Sequence, residues 1–568
     1  MDVVAAAERW IAHDPDPSDR KTLSEWVGRA KRGDAGALDR ITGAMTGRLF
    51  FGTAGLRGEM GPGPNRMNTA IVATATAGLC AVLGQMAEHP RMVIGFDARH
   101  RSAQFARTAA GVATAARCDV MVMPRALPTP LLAFAVRHLG ADAGIMVTAS
   151  HNPAADNGYK VYLGGRIVAA HERGVQLVDP MDSRVMAAIE EIGWADEVPV
   201  ADDGWRVLDE TIVDEYLAAA GKLAGRLGVD QDQMARLAVV LTAMHGVGAP
   251  VATRLLESAG VSRLYPVAAQ CSPDPDFPTI AFPNPEEAGA LDLACDKARE
   301  VKADLVVALD PDADRCAVAV PDRSGAWRQL SGDQLGALFA QHLAAKIPVG
   351  EGGGEPPVFA RSLVSGSMCD AIAAAHGITA RQSLTGFKWI VRGPGVVYGY
   401  EEAIGYCLDP EVVRDKDGIT AGLIACAMVA ELTAKGRSVD DLLDDLDVAH
   451  GLHVTAPLTF RVADRSVIVA GLERLAADPP TGLGGHQVSE FADLSLGYRG
   501  LPATVGYRIE STVGDRVVVR PSGTEPKLKC YVEVREPVSG REDLGAARRR
   551  AADRLARIRE ELTAELGF

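Results

Sequence analysis

One serine in this chain lies in a context that offers no base to activate it. Thr148-Ala-Ser-His-Asn-Pro153 follows the apolar run 143–147, which predicts a buried parallel strand. Asn152-Pro153 then breaks regular structure, so we expect Ser150 on a loop at the strand's carboxyl end, where open α/β sheets bind ligands. A hydrolase elbow needs glycines on both sides of its serine, and this stretch has none. Ser150 is better suited to carry a phosphoryl group, provided that a metal site lies elsewhere in the chain.

A cluster of aspartates offers such a site. Asp310-Pro-Asp-Ala-Asp-Arg315 follows a strand predicted at 304–309 and places carboxylates at i, i+2 and i+4 of a tight loop. The carboxylates can converge on one hard divalent cation, or form a solvated turn or an EF-hand fragment. An EF-hand loop needs glycine at position 6 and glutamate at position 12, where this chain has Arg315 and Pro321. The metal interpretation favours Mg²⁺, which keeps positions open for phosphate oxygens, and Arg315 is placed to bind that phosphate.

Three further segments carry groups that bind phosphate or sugar. Arg520-Pro-Ser-Gly-Thr-Glu-Pro526 offers side chains and backbone amides for an anion, although a simple turn between strands is the alternative. Glu401 and Glu402 are either surface charge, as acidic pairs usually are, or acceptors for sugar hydroxyls. In Phe51-Gly-Thr-Ala-Gly-Leu-Arg-Gly58, small residues permit close backbone approach and Arg57 offers a bidentate phosphate contact.

Composition and charge restrict the classes of function. The 568 residues predict roughly three to five domains. A net charge of −15 argues against a nucleic-acid or anionic-membrane surface, so local arginines and lysines must bind any anionic substrate. Nine cysteines without a CxxC pair predict free thiols rather than disulfides or a zinc site. Since there is no basic leader and no 18-residue uncharged apolar run, we expect a cytoplasmic protein.

The elements that must position these residues fall into five parts. Residues 1–49 predict a helical extension in which no chemistry is visible. Strands alternate with helices over 50–205, 206–325 and 326–450, which predicts three similar α/β domains with parallel or mixed sheets and right-handed crossovers. The pattern changes over 451–568, where alternating apolar residues predict an antiparallel sheet closed by a charged helix, hence a C-terminal α+β domain.

Four of these motifs occur in the order of one known family. TASHNP (148–153), DPDADR (310–315), the glutamate loop and RPSGTEP (520–526) stand one per domain, and in this the chain resembles the α-D-phosphohexomutase superfamily of phosphoglucomutases and phosphomannomutases. The resemblance extends from about residue 50 to the end of the chain and implies four domains around a central cleft. FGTAGLRG, EEAIGY and RDKDG (414–418) are most similar to the branch with phosphopentomutase and glucose-1,6-bisphosphate synthase.

The resemblance implies an intramolecular phosphotransferase. Ser150 would carry the phosphoryl group that moves between the 1-position and the 5- or 6-position hydroxyl of an aldose phosphate. A sugar bisphosphate would be both intermediate and activator, and the phosphoserine, with about two negative charges, would need a cation. The implied metal is Mg²⁺, and its implied ligands are Ser150, Asp310, Asp312 and Asp314.

The same resemblance assigns the remaining roles. Lys160 is the implied general acid/base, with Lys388 as the alternative because Phe387 stands where many phosphomannomutases have a histidine. His151 adjoins the nucleophile, and we expect it to support the loop rather than to act as the base. The other implied contacts to phosphate or sugar are made by Arg57, Arg315, Glu401, Glu402, Arg520, Ser522, Gly523, Thr524 and Lys527.

The choice of sugar and of phosphate donor stays open at this point. Ala403 occupies the position of a serine in the family's sugar loop, and the loss of that hydroxyl makes pentose phosphates credible beside glucose and mannose phosphates. A sugar 1,6-bisphosphate synthase would use the same serine and metal with an external donor. A non-catalytic phosphosugar-binding protein is the alternative from another class. The expected partners are small sugar phosphates only, with no nucleic acid and no membrane, and the chain is expected to be a monomer or homodimer.

Overall fold

Two units make up the chain in this computed structural model, which describes residues 2–52, 55–347, 355–462, 464–522 and 527–568. The first unit consists of Met1–Ala319, Val391–Pro394 and Gly405–Ala427. The second consists of Val320–Ile390, Gly395–Ile404 and Met428–Phe568. The predicted limits of the individual domains stay a prediction, and each unit is described by itself.

Three helices open the first unit, as the sequence predicts: α1 (Val3–His13), α2 (Pro17–Lys31) and α3 (Ala35–Met45). Each begins after an aspartate whose side chain accepts hydrogen bonds from the backbone of the first turn. Pro17 stands at the first position of α2, where its missing N–H costs nothing. The apolar faces of the three helices pack together around Leu23, Val27 and Ile41.

The first sheet of this unit carries the predicted alternation of strands and helices. Its strand order is β1-β5-β4-β2-β3-β7, with β6 added to β5, and β2 pairs in parallel with both β3 and β4. Short 3₁₀ helices lie at Ala170–Glu172 and Ala195–Glu197. The elements are β1 (Leu56–Glu59), α4 (Thr69–Gly84), β2 (Arg91–Phe96), α5 (Ser102–Ala115), β3 (Asp119–Val122), α6 (Thr129–His138), β4 (Ala143–Val147), β5 (Asp156–Leu163), β6 (Val175–Gln176), α7 (Met181–Glu191) and β7 (Arg206–Val207).

This sheet is mixed, because β5 returns antiparallel to β4 and β1 lies antiparallel to β5. Only residues 148–155 separate β4 from β5. A parallel pair needs a crossover of about a dozen residues or more, so this segment can close only an antiparallel return. The segment that contains Ser150 is therefore the link between two adjacent, buried strands.

A second sheet in the first unit positions the aspartates. Strand β8 pairs in parallel with β9 and β10, and β11 returns antiparallel to β10. All five residues of β8 and of β10 are buried. The elements are α8 (Thr211–Arg226), α9 (Gln231–Arg236), β8 (Ala238–Thr242), α10 (Ala249–Ser258), β9 (Arg263–Pro266), α11 (Asp292–Val301), β10 (Leu305–Leu309) and β11 (Cys316–Pro321). The last two residues of β11 belong to the second unit.

The second unit contains a parallel sheet in which β13 lies between β14 and β15. Strand β16 belongs to the first unit, and α15 begins in the first unit and ends in the second. The elements are β12 (Trp327–Gln329), α12 (Gly332–Ala344), β13 (Val358–Ser362), α13 (Met368–Ala375), β14 (Thr379–Ser383), α14 (Phe387–Ile390), β15 (Val396–Glu401), β16 (Gly405–Cys407), α15 (Gly418–Ala434) and α16 (Val439–His450).

The C-terminal part of the second unit is the predicted antiparallel sheet, in the order β17-β22-β21-β20-β19-β18. The predicted charged helix closes it and buries Ala551, Ile558 and Leu562 against the sheet. A 3₁₀ helix lies at Leu494–Leu496. The elements are β17 (Leu452–Arg461), α17 (Arg465–Ala477), β18 (Gly482–Leu483), β19 (His486–Asp493), β20 (Tyr507–Ser511), β21 (Arg516–Pro521), β22 (Lys527–Glu536) and α18 (Leu544–Leu566).

In the described part of the chain, no single helix has both the length and the apolarity that a membrane span requires. Helices α15 and α16, bent by 91° at the break between them, meet the requirements only as a pair, by length and composition.

Candidate functional site

Ser150 lies just past the carboxyl end of β4, on the loop that the sequence predicts, and is 1 % exposed. Its backbone φ of 52° lies in the left-handed region, which a non-glycine residue adopts only when its surroundings hold it there. The Ser150 N–H donates to Thr148 Oγ1 at 2.9 Å. The Ser150 hydroxyl donates to Asp310 Oδ2 at 2.8 Å, so the serine and the first aspartate of the acidic loop are in direct contact.

The acidic loop joins β10 to β11 in a tight reversal. One carboxylate oxygen from each of Asp310, Asp312 and Asp314 lies within 4.8 Å of the other two, and all three side chains are buried. Ala313, between the second and third aspartates, has a φ of 56°, which turns the chain so that the carboxylates face one point. Asp312 Oδ1 and Asp314 Oδ1 accept no hydrogen bond from the described residues. The cluster therefore offers convergent oxygen ligands with lone pairs to spare.

Two buried lysines neutralise much of this negative charge. Lys160 projects from β5 and donates to Asp312 Oδ2 at 2.7 Å and to Asp314 Oδ2 at 2.9 Å. Lys416 precedes α15, and its Nζ lies 3.3 Å from Asp314 Oδ2 and 3.3 Å from Asp415 Oδ1. Both lysines belong to the first unit, as the aspartates do.

The three carboxylates differ in how readily they ionise. Burial and the charges of Asp312 and Asp314 raise the pKa of Asp310 well above its ordinary value. For Asp312 and Asp314, burial alone would raise the pKa, but both pKa values are lowered, for Asp312 by Lys160 and a hydrogen bond from Thr129 and for Asp314 by Lys160, Lys416 and Arg315. Thr129, at the start of α6, adds a 2.6 Å hydrogen bond from its hydroxyl to Asp312 Oδ2.

His151 and two arginines complete the surroundings of the serine. His151 Nδ1 lies 3.3 Å from Ser150 Oγ, and burial together with the charges of Arg315 and Arg57 lowers the His151 pKa well below its ordinary value. The imidazole is therefore neutral at neutral pH. Arg57 projects from β1 and donates to Asn152 Oδ1 at 3.4 Å. The Arg315 backbone N–H donates to Asp310 Oδ1 at 3.0 Å, which ties this arginine to the acidic loop.

The second unit carries the glutamate loop. Glu401 ends β15, and the Glu402 carboxylate that follows accepts hydrogen bonds from Ser365 Oγ at 2.8 Å and Ser362 Oγ at 3.2 Å. Both serines are buried, and the Ser365 hydroxyl also accepts the Glu402 backbone N–H at 3.2 Å. Burial and the negative charges of Glu401 and Asp333 raise the pKa of Glu402 to about 7. Glu402 is thus a carboxyl group whose orientation is held by two serines.

The C-terminal sheet holds the remaining predicted phosphate contacts. Arg520, near the end of β21, donates through Nη1 to Thr385 Oγ1, in the segment that precedes Lys388. Lys388 is nearly buried in the short helix α14. The Ser522 N–H donates to the Lys527 carbonyl at 2.8 Å, which joins β21 to β22. Of the predicted contacts, Gly523 and Thr524 lie outside the described residues.

The structure thus divides the predicted site residues between the units. It gathers one group around the acidic loop of the first unit: Arg57, Ser150, His151, Lys160, Asp310, Asp312, Asp314 and Arg315. The second unit holds Lys388, Glu401, Glu402, Arg520, Ser522 and Lys527. The interpretation of the sequence assigned no role to Lys416, Thr129, Ser362 or Ser365. Of these four residues, only Lys416 lies in a segment that the sequence analysis identified as a motif, RDKDG (414–418).

The four models of one protein family match consecutive segments of the chain and together cover most of its length. They are described as phosphoglucomutase/phosphomannomutase alpha/beta/alpha domain I over residues 48–194, domain II over 214–325, domain III over 331–448, and the C-terminal domain over 488–544.

Individual relatives match over nearly their whole length. The chain is 40% identical over 471 residues to a protein of Haemophilus influenzae named probable phosphomannomutase, covering 83% of this chain and 93% of that one. It is 33% identical over 545 residues to human phosphopentomutase, covering 88% of this chain and 87% of that one. The solved structure of parafusin, a phosphoglucomutase from Paramecium, has the same fold, with a TM-score of 0.67 at 18% identity, over 92% of this chain and 96% of that one.

Proposed function

The chain belongs to the phosphoglucomutase/phosphomannomutase family of phosphosugar mutases, and from that premise we propose that it moves a phosphoryl group within an aldose phosphate by way of Ser150. The proposed transfer is between the 1-position and the 5- or 6-position hydroxyl, with a sugar bisphosphate as intermediate and activator. The observation that carries the proposal is the 2.8 Å hydrogen bond from the Ser150 hydroxyl to Asp310, within a buried cluster of three carboxylates.

The acidic loop fits a divalent cation. Its donor set is three carboxylates, the hard oxygen ligands that Mg²⁺ takes, and two of their buried oxygens have no hydrogen-bond donor among the described residues. We propose that Asp310, Asp312, Asp314 and the phosphorylated Ser150 hold Mg²⁺. When bound, the ion would supply positive charge that offsets the charge of the phosphoryl group.

The residues of the first unit have separate proposed tasks. Lys160 is buried against Asp312 and Asp314 of the acidic loop and is the proposed proton donor and acceptor for the sugar hydroxyl. Arg57 and Arg315 bind equatorial oxygens of the transferring group, since a guanidinium binds phosphate through two parallel N–H groups. His151, being neutral, supports the serine loop and adds no positive charge. Burial of Ser150 excludes water, which protects a phosphoserine from hydrolysis.

The second unit, taken by itself, supplies the proposed recognition groups. The Glu402 carboxylate, oriented by Ser362 and Ser365, accepts hydrogen bonds from sugar hydroxyls together with Glu401. Arg520, Ser522, Gly523, Thr524 and Lys527 are the proposed contacts to the phosphate that is not transferred. Lys388 is a further phosphate contact, or the alternative acid/base, and its position in α14 beside Thr385 supports the first of these tasks.

The proposed substrates include both pentose and hexose phosphates. Matches to proteins named phosphomannomutase and phosphopentomutase support this breadth. Ala403 supports it as well, because an alanine in the sugar loop offers no hydroxyl with which to select one epimer. We further propose that the protein acts in the reducing cytoplasm, in keeping with nine free cysteines, and that small sugar phosphates are its partners.

A panel of coupled assays tests this proposal. Glucose 1-phosphate, mannose 1-phosphate, ribose 1-phosphate and deoxyribose 1-phosphate are supplied with Mg²⁺, with and without a sugar bisphosphate. We expect turnover that the bisphosphate stimulates, and a mass increase of one phosphoryl group on Ser150 after incubation with the bisphosphate. Phosphorylation of Ser150 by an acyl phosphate alone, with bisphosphate accumulating, would identify a bisphosphate synthase. Binding without turnover of any of the four sugars would contradict an enzyme.

A further inference from the structure

Arg99 holds the loop that carries Ser150. It lies in the connection between β2 and α5, and its side chain is 1 % exposed. Its Nη2 donates to the carbonyls of Ser150 and Asn152, each at 2.6 Å. Its Nη1 donates to the carbonyls of Pro153 at 2.8 Å and Asp156 at 3.2 Å. One guanidinium group therefore binds four main-chain oxygens between Ser150 and Asp156, the first residue of β5.

That segment needs such a contact. Ser150 adopts a left-handed backbone with a φ of 52°, a conformation that costs a non-glycine residue about 1–3 kcal/mol unless its surroundings favour it. Arg99 donates to each of the four carbonyls, and the Pro153 carbonyl also accepts the Asp156 N–H at 3.0 Å. A buried or partly buried carbonyl needs such donors, since an unpaired one costs free energy. A planar guanidinium with five N–H groups can bind all four together, whereas a lysine ammonium has three donors around one point.

The Asp97 carboxylate binds both the connection that carries Arg99 and the serine loop. Its Oδ1 accepts the backbone N–H of Arg99 at 3.0 Å and the Ser102 hydroxyl at 2.7 Å. Its Oδ2 accepts the Thr148 hydroxyl at 2.6 Å, and Thr148 Oγ1 in turn accepts the Ser150 N–H at 2.9 Å. The connection that carries Arg99 and the loop that carries the nucleophile are therefore held through one buried carboxylate.

The opposite side of this connection is held by the N-terminal helices. Arg101 Nη2 donates to Asp16 Oδ2 at 2.6 Å and to Asp19 Oδ2 at 2.9 Å, and both aspartates are buried. Gln104 and Thr69 also donate to Asp16, at 2.8 and 3.2 Å. Arg101 itself has a φ of 63°, so this connection contains a left-handed residue held by side-chain contacts, as the serine loop does.

We propose that Arg99 is a positioning residue for Ser150. The helical extension 1–49, in turn, holds the connection between β2 and α5 that carries Arg99, through the ion pairs of Asp16 and Asp19 with Arg101. The inference rests on the proposed role of Ser150 as phosphoryl carrier. It assigns a task to an extension that otherwise carries no chemistry. Arg99 binds the serine loop through main-chain carbonyls, and its other contacts include Asp97 and the Phe277 ring. Its substitution therefore displaces the Ser150 hydroxyl without removing a group that is proposed to bind the sugar.

Arg99→Lys tests the first part, since it keeps the charge but not the fork of donors. The measurements are kcat, KM, the thermal midpoint, and the single-turnover rate at which glucose 1,6-bisphosphate phosphorylates Ser150, followed by intact mass. We expect kcat and the phosphorylation rate to fall about 10- to 100-fold, because a displacement of about 1 Å has an effect of that size. KM should stay within about threefold. Arg91→Lys is the matched control, since Arg91 lies on the adjoining strand and donates to the carbonyl of Leu139 far from Ser150.

The double variant Asp16→Asn/Asp19→Asn tests the second part. Asparagine caps a helix as well as aspartate does, so α2 keeps its N-terminus while Arg101 loses both ionic partners. We expect kcat and Ser150 phosphorylation to fall in the same ratio, by about three- to tenfold, with KM unchanged. Glu8→Gln/Lys31→Met removes a surface ion pair of the same extension and is the control.

The outcomes separate this inference from the proposed function. If wild-type Ser150 does not take up phosphate from the bisphosphate, the proposed function fails and this inference fails with it. If the wild type is phosphorylated and Arg99→Lys reacts at the same rate with an unchanged thermal midpoint, Arg99 does not position the serine. A normal rate in Asp16→Asn/Asp19→Asn would overturn the task assigned to the extension. A fall in thermal midpoint with no change in phosphorylation rate would show a purely structural role and would overturn the proposal.

Discussion

The ammonium group of Lys160 lies 2.7 Å from Asp312 Oδ2, although the two residues are 152 positions apart and both are buried. Asp314 receives the same ammonium group at 2.9 Å and Lys416 at 3.3 Å. Two of the carboxylate oxygens of this cluster, Asp312 Oδ1 and Asp314 Oδ1, accept no hydrogen bond from the described residues. The proposed divalent cation would bind the same carboxylate groups as Lys160, so loss of either one should alter the effect of the other on stability.

The thermal stability of the Lys160→Met variant should depend on Mg²⁺ more strongly than that of the wild type. Loss of the lysine leaves two buried carboxylates poorly paired, and the removal of one partner of a buried ion pair typically costs about 3–5 kcal/mol. We expect a lower thermal midpoint in EDTA and a smaller deficit with excess Mg²⁺, measured by calorimetry. Lys435→Met, which removes an exposed partner of Glu431, should leave the midpoint nearly unchanged in both conditions. Equal deficits of Lys160→Met with and without Mg²⁺ would speak against a metal at these aspartates.

Kinetics of Lys160→Met and Lys388→Met should distinguish the two candidate acid/bases. Removal of a general acid/base lowers kcat by about 100- to 10,000-fold with little effect on KM. We expect that pattern for Lys160, and for Lys388→Met mainly a higher KM, because Lys388 lies beside the segment that Arg520 contacts. The reverse pattern would exchange the two roles.

Ser150→Ala should abolish mutase turnover and leave the fold intact. A carrier of the phosphoryl group has no substitute in the site, so we expect a loss of about 10,000-fold or more in kcat. The thermal midpoint should stay close to that of the wild type, since the substitution removes only the hydroxyl and its contacts with Asp310 and His151. Ser183→Ala, which removes an exposed serine hydroxyl bonded to Asp179, is the matched control. Residual turnover within about tenfold of the wild type would refute the phosphoserine mechanism.

The affinity for sugar phosphate should depend on the ionisation of Glu402. With a pKa of about 7, Glu402 is ionised above that pH and protonated below it. A carboxylate accepts hydrogen bonds more strongly than a neutral carboxyl, so KM should rise about five- to tenfold as the pH falls through 7. Glu402→Gln should remove this rise in KM. Only the change in KM that comes from ionisation of the substrate phosphate, at about pH 6, should then remain. Glu431→Gln is the control, and an unchanged profile in Glu402→Gln would show that another group titrates.

Ala403→Ser should narrow the choice of sugar. A serine adjacent to Glu402 restores a hydroxyl to the sugar loop. We expect the ratio of kcat/KM for glucose 1-phosphate over ribose 1-phosphate to rise about tenfold. The measurement is direct competition of the two substrates. A ratio that does not change would place the discrimination elsewhere.

Much of the site follows from short patterns, because strand ends are local events. The apolar runs before Ser150 and before Asp310 predict buried strands, and the residues after a strand end must form a loop. The spacing of Asp310, Asp312 and Asp314 predicts convergent carboxylates within that loop alone. The glutamate loop after β15 follows in the same way. In these cases the decisive contacts lie within a few residues along the chain.

Other features were not accessible to such patterns. The sequence predicted parallel or mixed sheets, but strand–helix alternation did not identify β5 as the antiparallel strand, which only the short length of segment 148–155 indicates. No pattern assigned a partner to Lys416, although RDKDG was noted as a motif. Arg99 stands in an ordinary polar stretch after a strand, and nothing there indicates that it binds four carbonyls of another loop.

The sequence by itself determined the family, the order of the motifs and the kinds of group that each motif offers. These depend on residue type and local spacing, which the chain carries wherever it folds. Only the tertiary structure decided which group meets which: Ser150 with Asp310, Lys160 with Asp312, and Glu402 with Ser365. It also decided the pKa values, because burial and the distance between charges far apart in the chain exist only after folding. The residues that carry the chemistry therefore lie in short sequence motifs, whereas the electrostatic environment of each residue results from the packing of these motifs in the folded chain.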